Sequence, residues 1–279
     1  MQKRRKRLIV LFSILGVFLV LAIVCGTLFS LRTINVVYLS ETTNARTSGY
    51  TQEQIIKSSN IKKGSNLLFA NYNNSLNTLE REFPYAKFSV ARNFPNTLNI
   101  YVYEREPAFR VRAEEGIWHI YDEELKLLEI VAEANLSMYN NDKLTIMNGL
   151  NFKLASSVGQ FAKSKEVAKK ITILLDAVYS VGGESSPLSI MSDITFRENA
   201  DNLGFTELLC TMSEDFGGGQ ILIQGENNLE DKVSYAVFFY LSVITNDYPE
   251  HSNSLLTILQ NYDSKTNNQA MAFDQDVSV

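Results

Sequence analysis

Few side chains in this sequence have the types and spacing of a catalytic or metal site. The chain has 279 residues with two histidines, His119 and His251, and two cysteines, Cys25 and Cys210. Histidine catalysis needs an imidazole beside a nucleophile or an orienting carboxylate, and a zinc site needs about four ligands at close spacing. Residues so far apart in the sequence indicate neither site. We therefore predict no catalytic residue, no metal and no cofactor.

Two further segments have compositions that are typical of ligand sites. Gly217–Gly219 is glycine-rich like a phosphate-binding loop, but no lysine and no helix follow it in the required pattern, so a flexible hairpin turn is the better interpretation. Asp122–Glu124 has the carboxylates that a hard cation prefers, yet runs of charge at turns are usually solvated. Neither segment carries a prediction of ligand binding.

The charge distribution excludes one class of partner. Six of the 26 basic residues lie in positions 1–32, which leaves 20 basic residues against all 31 acidic residues in the rest of the chain. Binding to nucleic acid depends on clustered Lys and Arg that contact phosphates. An acidic segment of this kind is not expected to bind nucleic acid, and nothing in it indicates a small-molecule substrate.

The first 30 residues have the pattern of a membrane anchor. Residues 8–30 are uncharged, and the basic residues 3–7 precede them directly. About 20 apolar residues in a helix cross a bilayer, and flanking Lys and Arg stay in the cytoplasm. The sequence therefore predicts a cytoplasmic tail at 1–7, a transmembrane signal-anchor helix at 8–30, and a single-pass type II protein of the cell membrane with its C-terminal part outside.

The next segment alternates between strand and helix patterns. Strand patterns cover residues 33–38, 86–92 and 97–103, where apolar and polar residues alternate. Thr51 and Gln54 have the spacing of a capping box at a helix start, and a second helix is expected over residues 75–82. The predicted order of elements is β-α-α-β-β.

These residues carry a family resemblance. The element order, the run Pro95-Asn96-Thr97-Leu98 with Ile100 and Val102, and Glu104-Arg105-Glu106-Pro107-Ala108 after it resemble the POTRA domain of the FtsQ/DivIB bacterial cell-division proteins. A POTRA domain directly after one signal-anchor helix is also the layout of that family. The resemblance implies a POTRA domain at 32–105.

Residues 106–262 are similar to the β domain of the same family, and a C-terminal strand and tail follow at 263–279. Strand patterns recur along this segment, and helices are expected at 165–181 and 229–243. Leu125 stands where the family has a glycine in its Asp-x-x-Gly turn, so a residue with positive φ is not expected there. The fold class is α+β: one transmembrane helix, a POTRA domain, and a mixed β-rich domain with two helices.

The resemblance implies a non-enzymatic scaffold of the divisome at the division septum. Such a protein links early and late division proteins and helps control septal peptidoglycan synthesis. Its partners would be bitopic coiled-coil proteins of the FtsB/DivIC and FtsL types, together with other divisome proteins. The family's terminal strands fall at residues 255–262, with 269–273 beside them. We predict that this stretch binds the partner through Leu256, Ile258, Gln260 and Tyr262.

The sequence leaves open alternative interpretations of both candidate sites and of the class of protein. Residues 255–262 either bind the partner or only close the sheet, and Glu104 with Arg105 is either a second partner contact or a solvated ion pair. The protein is alternatively a POTRA-like module for export or assembly, although the sequence shows one copy of the domain and no barrel. A membrane-anchored cell-wall enzyme is the least supported class, since the sequence offers no reactive cluster.

Overall fold

The computed structural model describes residues 2–39, 49–139, 144–149, 154–182, 190–198, 206–259 and 271–274. The chain divides into two compact units, residues 1–105 and residues 106–279. The division falls directly after Arg105, at the end of the segment that resembles a POTRA domain. Each unit has its own sheet and its own buried core.

The N-terminal helix, α1, spans Gln2–Leu28 and begins with the basic residues 3–7. A bilayer crossing needs about 20 consecutive apolar residues in a helix. Within the part of the chain that the structure describes, no helix is long and apolar enough to meet this requirement. The prediction of a transmembrane helix at 8–30 is therefore wrong.

The first unit has the predicted order β-α-α-β-β after α1. Its elements are β1 (Thr33–Tyr38), α2 (Gln52–Ser58), α3 (Asn73–Glu82), β2 (Ala86–Asn93) and β3 (Thr97–Glu104). The sheet order is β1-β3-β2, with β1 parallel and β2 antiparallel to the central β3. Strand β3, which comes last of the three in the chain, thus lies in the middle of the three-stranded sheet.

The regularly spaced apolar residues of the first unit pack together in one core. Alternate residues of β3, Leu98, Ile100 and Val102, are buried and pack against Ile55 of α2 and Leu79 of α3. The start of α2 is fixed by the predicted capping box. The Thr51 backbone N–H donates to Gln54 Oε1 at 3.0 Å, and the Gln54 N–H donates to Thr51 Oγ1 at 3.3 Å. Local sequence therefore defines this helix start.

The second unit is built on a nine-stranded mixed sheet. Its strands in chain order are β4 (Phe109–Glu114), β5 (Ile117–Tyr121), β6 (Leu127–Ala132), β7 (Thr145–Gly149), β8 (Met191–Glu198), β9 (Thr206–Met212), β10 (Gln220–Gln224), β11 (Leu255–Ile258) and β12 (Met271–Asp274). The spatial order is β12-β11-β10-β9-β8-β7-β4-β5-β6. From β7 onward, each strand adds next to its predecessor in the chain.

Two long helices of this unit cover one face of the sheet. Helices α4 (Lys165–Gly182) and α5 (Leu229–Phe238) bury Ile171, Val178 and Val237 in one core with Ile194 of β8 and Ile221 of β10. A π-helical segment, Phe239–Ile244, continues α5, followed by the short helix α6 (Thr245–Asp247). The expected single helix at 229–243 is thus α-helical only to Phe238. A 3₁₀ helix at Glu133–Tyr139 follows β6.

The turn between β5 and β6 differs from the sequence-based prediction that no residue with positive φ lies there. Leu125 has a φ of +60° although it is neither glycine nor asparagine. The Asp122 side chain accepts the Lys126 N–H at 2.7 Å, and the Leu125 N–H donates to the Asp122 carbonyl at 3.0 Å. The leucine side chain is only 2% exposed. Burial of this side chain and the Asp122 hydrogen bonds stabilise a backbone conformation that normally favours glycine.

Candidate functional site

One end of the nine-stranded sheet is formed by β12. This strand pairs with β11 in antiparallel register, from Leu255 opposite Asp274 to Ile258 opposite Met271. Strand β11 in turn pairs with β10 in parallel register. Among the described strands, none pairs with the other edge of β12. An edge strand of this kind is a typical place for a further strand to pair.

The residues predicted to contact a partner lie beside this edge rather than on it. Leu256 and Ile258 are fully buried and belong to the core of the second unit. They anchor β11 against the helices, because alternate residues of a strand point to the same face. Gln260 and Tyr262 lie outside the described residues. That residues 255–262 serve partner binding stays a prediction.

The hydroxyl of Tyr240 holds the segments that precede β10 and β11 together. Tyr240 is fully buried and lies in the π-helical segment. Its oxygen accepts the Gly219 N–H at 3.0 Å, and it lies within hydrogen-bond distance of the carbonyls of Phe216 and Ser252. Burial raises the pKa of Tyr240, so the hydroxyl keeps its proton as a donor at neutral pH. Three separate chain segments meet at this one oxygen.

The glycine run before β10 allows this close approach. A Cβ atom built on Gly219 would lie 2.3 Å from the Ser252 carbonyl oxygen and 2.7 Å from the Tyr240 hydroxyl. One built on Gly217, whose φ is +93°, would lie 2.3 Å from the Ser252 Cβ. The run was interpreted from sequence as a flexible turn. The structure shows instead a packed contact that positions β10 and β11. The feature of the sequence that indicates this contact is the glycine run itself.

Glu104 and Arg105 close the first unit. Glu104 is the last residue of β3 and lies opposite Ala86, half-buried. Arg105 is 5% exposed, and its guanidinium Nη2 lies 3.9 Å from Glu80 Oε1 of α3. Its backbone N–H donates to the Tyr85 carbonyl at 2.8 Å. Arg105 therefore connects β3 to α3 and is not a solvated residue. That Glu104 and Arg105 contact a partner stays a prediction.

His119, His251 and Cys210 lie in different surroundings. The His119 Nδ1 lies 3.4 Å from the hydroxyl of Tyr121, and burial lowers the pKa of His119. His251 Nε2 lies 3.7 Å from the exposed carboxylate of Glu250. Burial raises the pKa of Cys210 to about 12, which keeps its thiol protonated and unreactive.

The carboxylates of the β5–β6 turn take part in internal contacts. Asp122 caps the turn as described above, and Glu123 Oε1 accepts the hydroxyl of Tyr179 at 2.8 Å. Burial raises the pKa of Glu123, and the neighbouring carboxylates of Asp122, Glu106 and Glu124 raise it further. In the described ranges, no group of three or more His, Cys, Asp or Glu side chains is arranged to hold a metal ion. These carboxylates shape the turn.

Comparison with known proteins shows which domain family the first unit matches. Residues 29–105 match the POTRA domain, FtsQ-type. Over 121 residues, 43% of this chain and 47% of the relative, the chain is 31% identical to a cell division protein DivIB of Clostridium acetobutylicum. The matched region spans about half the length of that relative. The resemblance to the FtsQ/DivIB family predicted from the sequence is confirmed.

Proposed function

The chain carries the POTRA domain of the FtsQ/DivIB family, and from this premise we propose that it is a non-enzymatic scaffold of the bacterial divisome. Its two units would bind different division proteins and so link early and late members of the assembly. Through these contacts it would help control septal peptidoglycan synthesis by a separate enzyme. Its place of action would be the division septum.

The open edge of β12 carries this proposal. An extended segment of a partner can add to a sheet edge through backbone hydrogen bonds, and the side chains at alternate positions then give specificity. Strand β12 has four residues, and β11 holds it through an antiparallel register over its whole length. A short edge strand on a rigid nine-stranded sheet offers a defined register with little conformational cost.

The buried residues of β11 support the edge in this proposal. Leu256 and Ile258 fix β11 in the core, and the Tyr240 contact fixes the segments before β10 and β11. Their role would therefore be to position β12, with which the partner would pair. Contact of the partner with Gln260 and Tyr262 stays a prediction. The partners we propose are coiled-coil proteins of the FtsB/DivIC and FtsL types.

The POTRA domain offers a second contact region. Strands β1 and β2 are the two edges of its three-stranded sheet, and Glu104 lies at the end of the central strand between them. We propose that this unit contacts other divisome proteins and helps to place the chain at the septum. The first unit would then recruit the chain to the septum, and the second unit would bind the coiled-coil partners.

Photocrosslinking in cells tests the proposal. A photoreactive amino acid is introduced at each position of Met271–Asp274 in turn, and at Leu256 as a buried control on the neighbouring strand. We expect the edge positions to trap a small coiled-coil protein that mass spectrometry identifies. We expect no product from Leu256, because its side chain is fully buried.

Three outcomes would contradict the proposal. Failure of all four edge positions to trap a coiled-coil protein would exclude strand addition at β12. Normal septation in cells that lack the protein would exclude a divisome role. Turnover of peptidoglycan by the purified protein would instead favour a cell-wall enzyme.

A further inference from the structure

One end of the first unit brings together three separate parts of the chain. Strands β1 and β3 begin at this end and β2 finishes there, because β1 is parallel and β2 antiparallel to β3. The Leu31 N–H, just before β1, donates to the Ser65 carbonyl at 2.8 Å. The Arg92 guanidinium, near the end of β2, donates to the Ala70 carbonyl at 2.7 Å. We call this the loop end, and it consists of residues 28–32, 60–72 and 92–97.

Two phenylalanine side chains are exposed at the loop end. Phe69 is 82% exposed and Phe94 is 52% exposed. The Arg92 hydrogen bond to Ala70 holds the two segments that carry them side by side. Phe94 also packs edge-on against Phe29, with the ring centres 5.7 Å apart. Because burial of exposed apolar side chains against another surface is favourable, the loop end is a candidate interaction surface.

The charged side chains of the loop end are all positive. Its three ranges contain no Asp and no Glu. The exposed basic residues there are Arg32, Lys62, Lys63 and Arg92. The whole chain, in contrast, has a formal net charge of −5. A surface of negative charge would therefore be complementary to the loop end.

The acidic residues of the first unit lie at its opposite end. Glu104 ends β3, about 23 Å along the strand from Thr97 at the loop end. Glu80 lies beside Arg105, which follows Glu104 directly. Glu53 lies in the first turn of α2, which begins beside the end of β1. We call this the acidic end, and the described acidic residues there are Glu53, Glu80, Glu82 and Glu104.

The rest of the chain is attached to the first unit at the acidic end. Leu39 precedes the range 40–48, and its N–H donates to the Val102 carbonyl at 3.0 Å, close to the end of β3. Tyr50 follows that range, and its carbonyl accepts the hydroxyl of Tyr38 at the end of β1. The second unit also begins close to the end of β3. The three ranges of the loop end are described without a gap.

We propose that the loop end of the first unit binds the surface of an anionic lipid bilayer. Phe69 and Phe94 enter the headgroup region, where aromatic side chains are favoured. Arg32, Lys62 and Lys63 are attracted to the phosphates of anionic lipids. Side chains that stand exposed on loops can enter a fluid interface, whereas a folded partner would need a matching pocket. The contact needs no helix that crosses the bilayer, and it does not depend on strand addition at β12.

Tryptophan fluorescence of the full chain tests the proposal. Phe69→Trp and Phe94→Trp each place a reporter at the loop end, and Tyr103→Trp places one at the acidic end, where Tyr103 is 42% exposed. The vesicles contain equal parts of phosphatidylglycerol and phosphatidylcholine with brominated acyl chains, which quench tryptophan on contact. The unchanged protein gives the background, since Trp118 is its single tryptophan. We expect the two loop-end reporters to lose about twofold more emission than the background or more, and Tyr103→Trp to stay at the background.

Two double variants test the role of charge. Lys62→Gln with Lys63→Gln, added to Phe69→Trp, should lower the quenching about twofold or more, because basic residues near an anionic surface are attracted to it. Arg81→Gln with Lys87→Gln makes the same change of net charge at exposed residues near the acidic end and should leave the quenching unchanged. Vesicles of phosphatidylcholine alone should give quenching near the background. Far-UV circular dichroism checks that all variants fold.

Each of the other outcomes would overturn the proposal. Equal quenching of Tyr103→Trp would mean attachment without preference for the loop end. Equal quenching in phosphatidylcholine alone, or an equal loss with Arg81→Gln and Lys87→Gln, would mean that local positive charge plays no part. Quenching of Phe69→Trp and Phe94→Trp at the background level would exclude lipid contact and favour a protein partner. A strand-addition partner trapped at β12 would stand in each of these cases, so the two proposals fail separately.

Discussion

The first unit starts its helix with side chains that are three residues apart, whereas the second unit positions its last strands with contacts between distant segments. In the first unit, Thr51 and Gln54 exchange hydrogen bonds at the start of α2. In the second unit, Tyr240 contacts Gly219 and Ser252, which lie on other elements. The first unit therefore depends on local signals at this helix start, whereas the last strands of the second unit depend on contacts between distant segments.

From this comparison we predict that adding one methyl group to the glycine run lowers the free energy of unfolding of the second unit more than the other substitutions do. Gly219→Ala would place a Cβ atom 2.3 Å from the Ser252 carbonyl oxygen, although its backbone conformation permits alanine. We expect a loss of about 3 kcal/mol in the free energy of unfolding of the second unit. Urea denaturation followed by circular dichroism measures it.

The matched control is Gly218→Ala. Its φ of +69° disfavours alanine, but its Cβ would meet nothing closer than Asn253 Oδ1 at 3.9 Å. The expected loss is about 1 kcal/mol. Equal losses for the two variants would show that backbone freedom, not the close contact at Ser252, accounts for the glycine run.

The left-handed Leu125 gives the next largest effect. Leu125→Ala keeps the positive φ and removes the packing of a buried leucine, so we expect a loss of about 2.5 kcal/mol. Leu125→Gly removes the same packing and also relieves the backbone, so it should be about 1 kcal/mol less destabilising than Leu125→Ala. Thermal unfolding of both variants measures the difference. A glycine variant less stable than the alanine variant would exclude strain at this residue.

The local capping box of the first unit should have a smaller and separate effect. Thr51→Ala removes the side-chain acceptor of the Gln54 N–H, and we expect a loss of about 1 kcal/mol confined to the first unit. Hydrogen exchange resolves the two units and measures the change in each. Thr51→Ser keeps the acceptor and should behave as the unchanged protein does. Increased exchange in β11 would show that the two units are not independent.

The smallest effect concerns the pH dependence of the second unit. Burial raises the pKa of Glu123 above its ordinary value of 4.5, so the folded state binds this proton more tightly than the unfolded state. The contribution of Glu123 to stability is therefore fully present below pH 4.5 and is lost as the pH rises through the raised value. Glu123→Gln should remove this decline. Denaturation midpoints at a series of pH values check it, and an unchanged slope would contradict it.

The sequence was sufficient for the first unit because its signals are local. The alternation of Leu98, Ile100 and Val102 and the Thr51 capping box gave the strands and the helix start directly. The second unit required information that no short window contains. Burial of Leu256 and Ile258 follows from β10 on one side and β12 on the other, and the parallel pairing of β10 with β11 spans more than thirty residues. Likewise, the Arg110 guanidinium carbon lies 5.6 Å from the centre of the Trp118 ring on the neighbouring strand, a contact that no short window contains.

The order of strands in the second sheet has a consequence for the timing of assembly. After β4, β5 and β6, the strands β7 to β12 join the sheet one after another in chain order, so each is the edge until the next arrives. During synthesis, which proceeds from the N-terminus, the sheet therefore grows outward and exposes β8, β9, β10 and β11 in turn. Each transient edge can pair with a wrong strand. Among the described strands β12 joins last, so a partner that paired with its edge, as proposed, would bind only after the other eight described strands had formed.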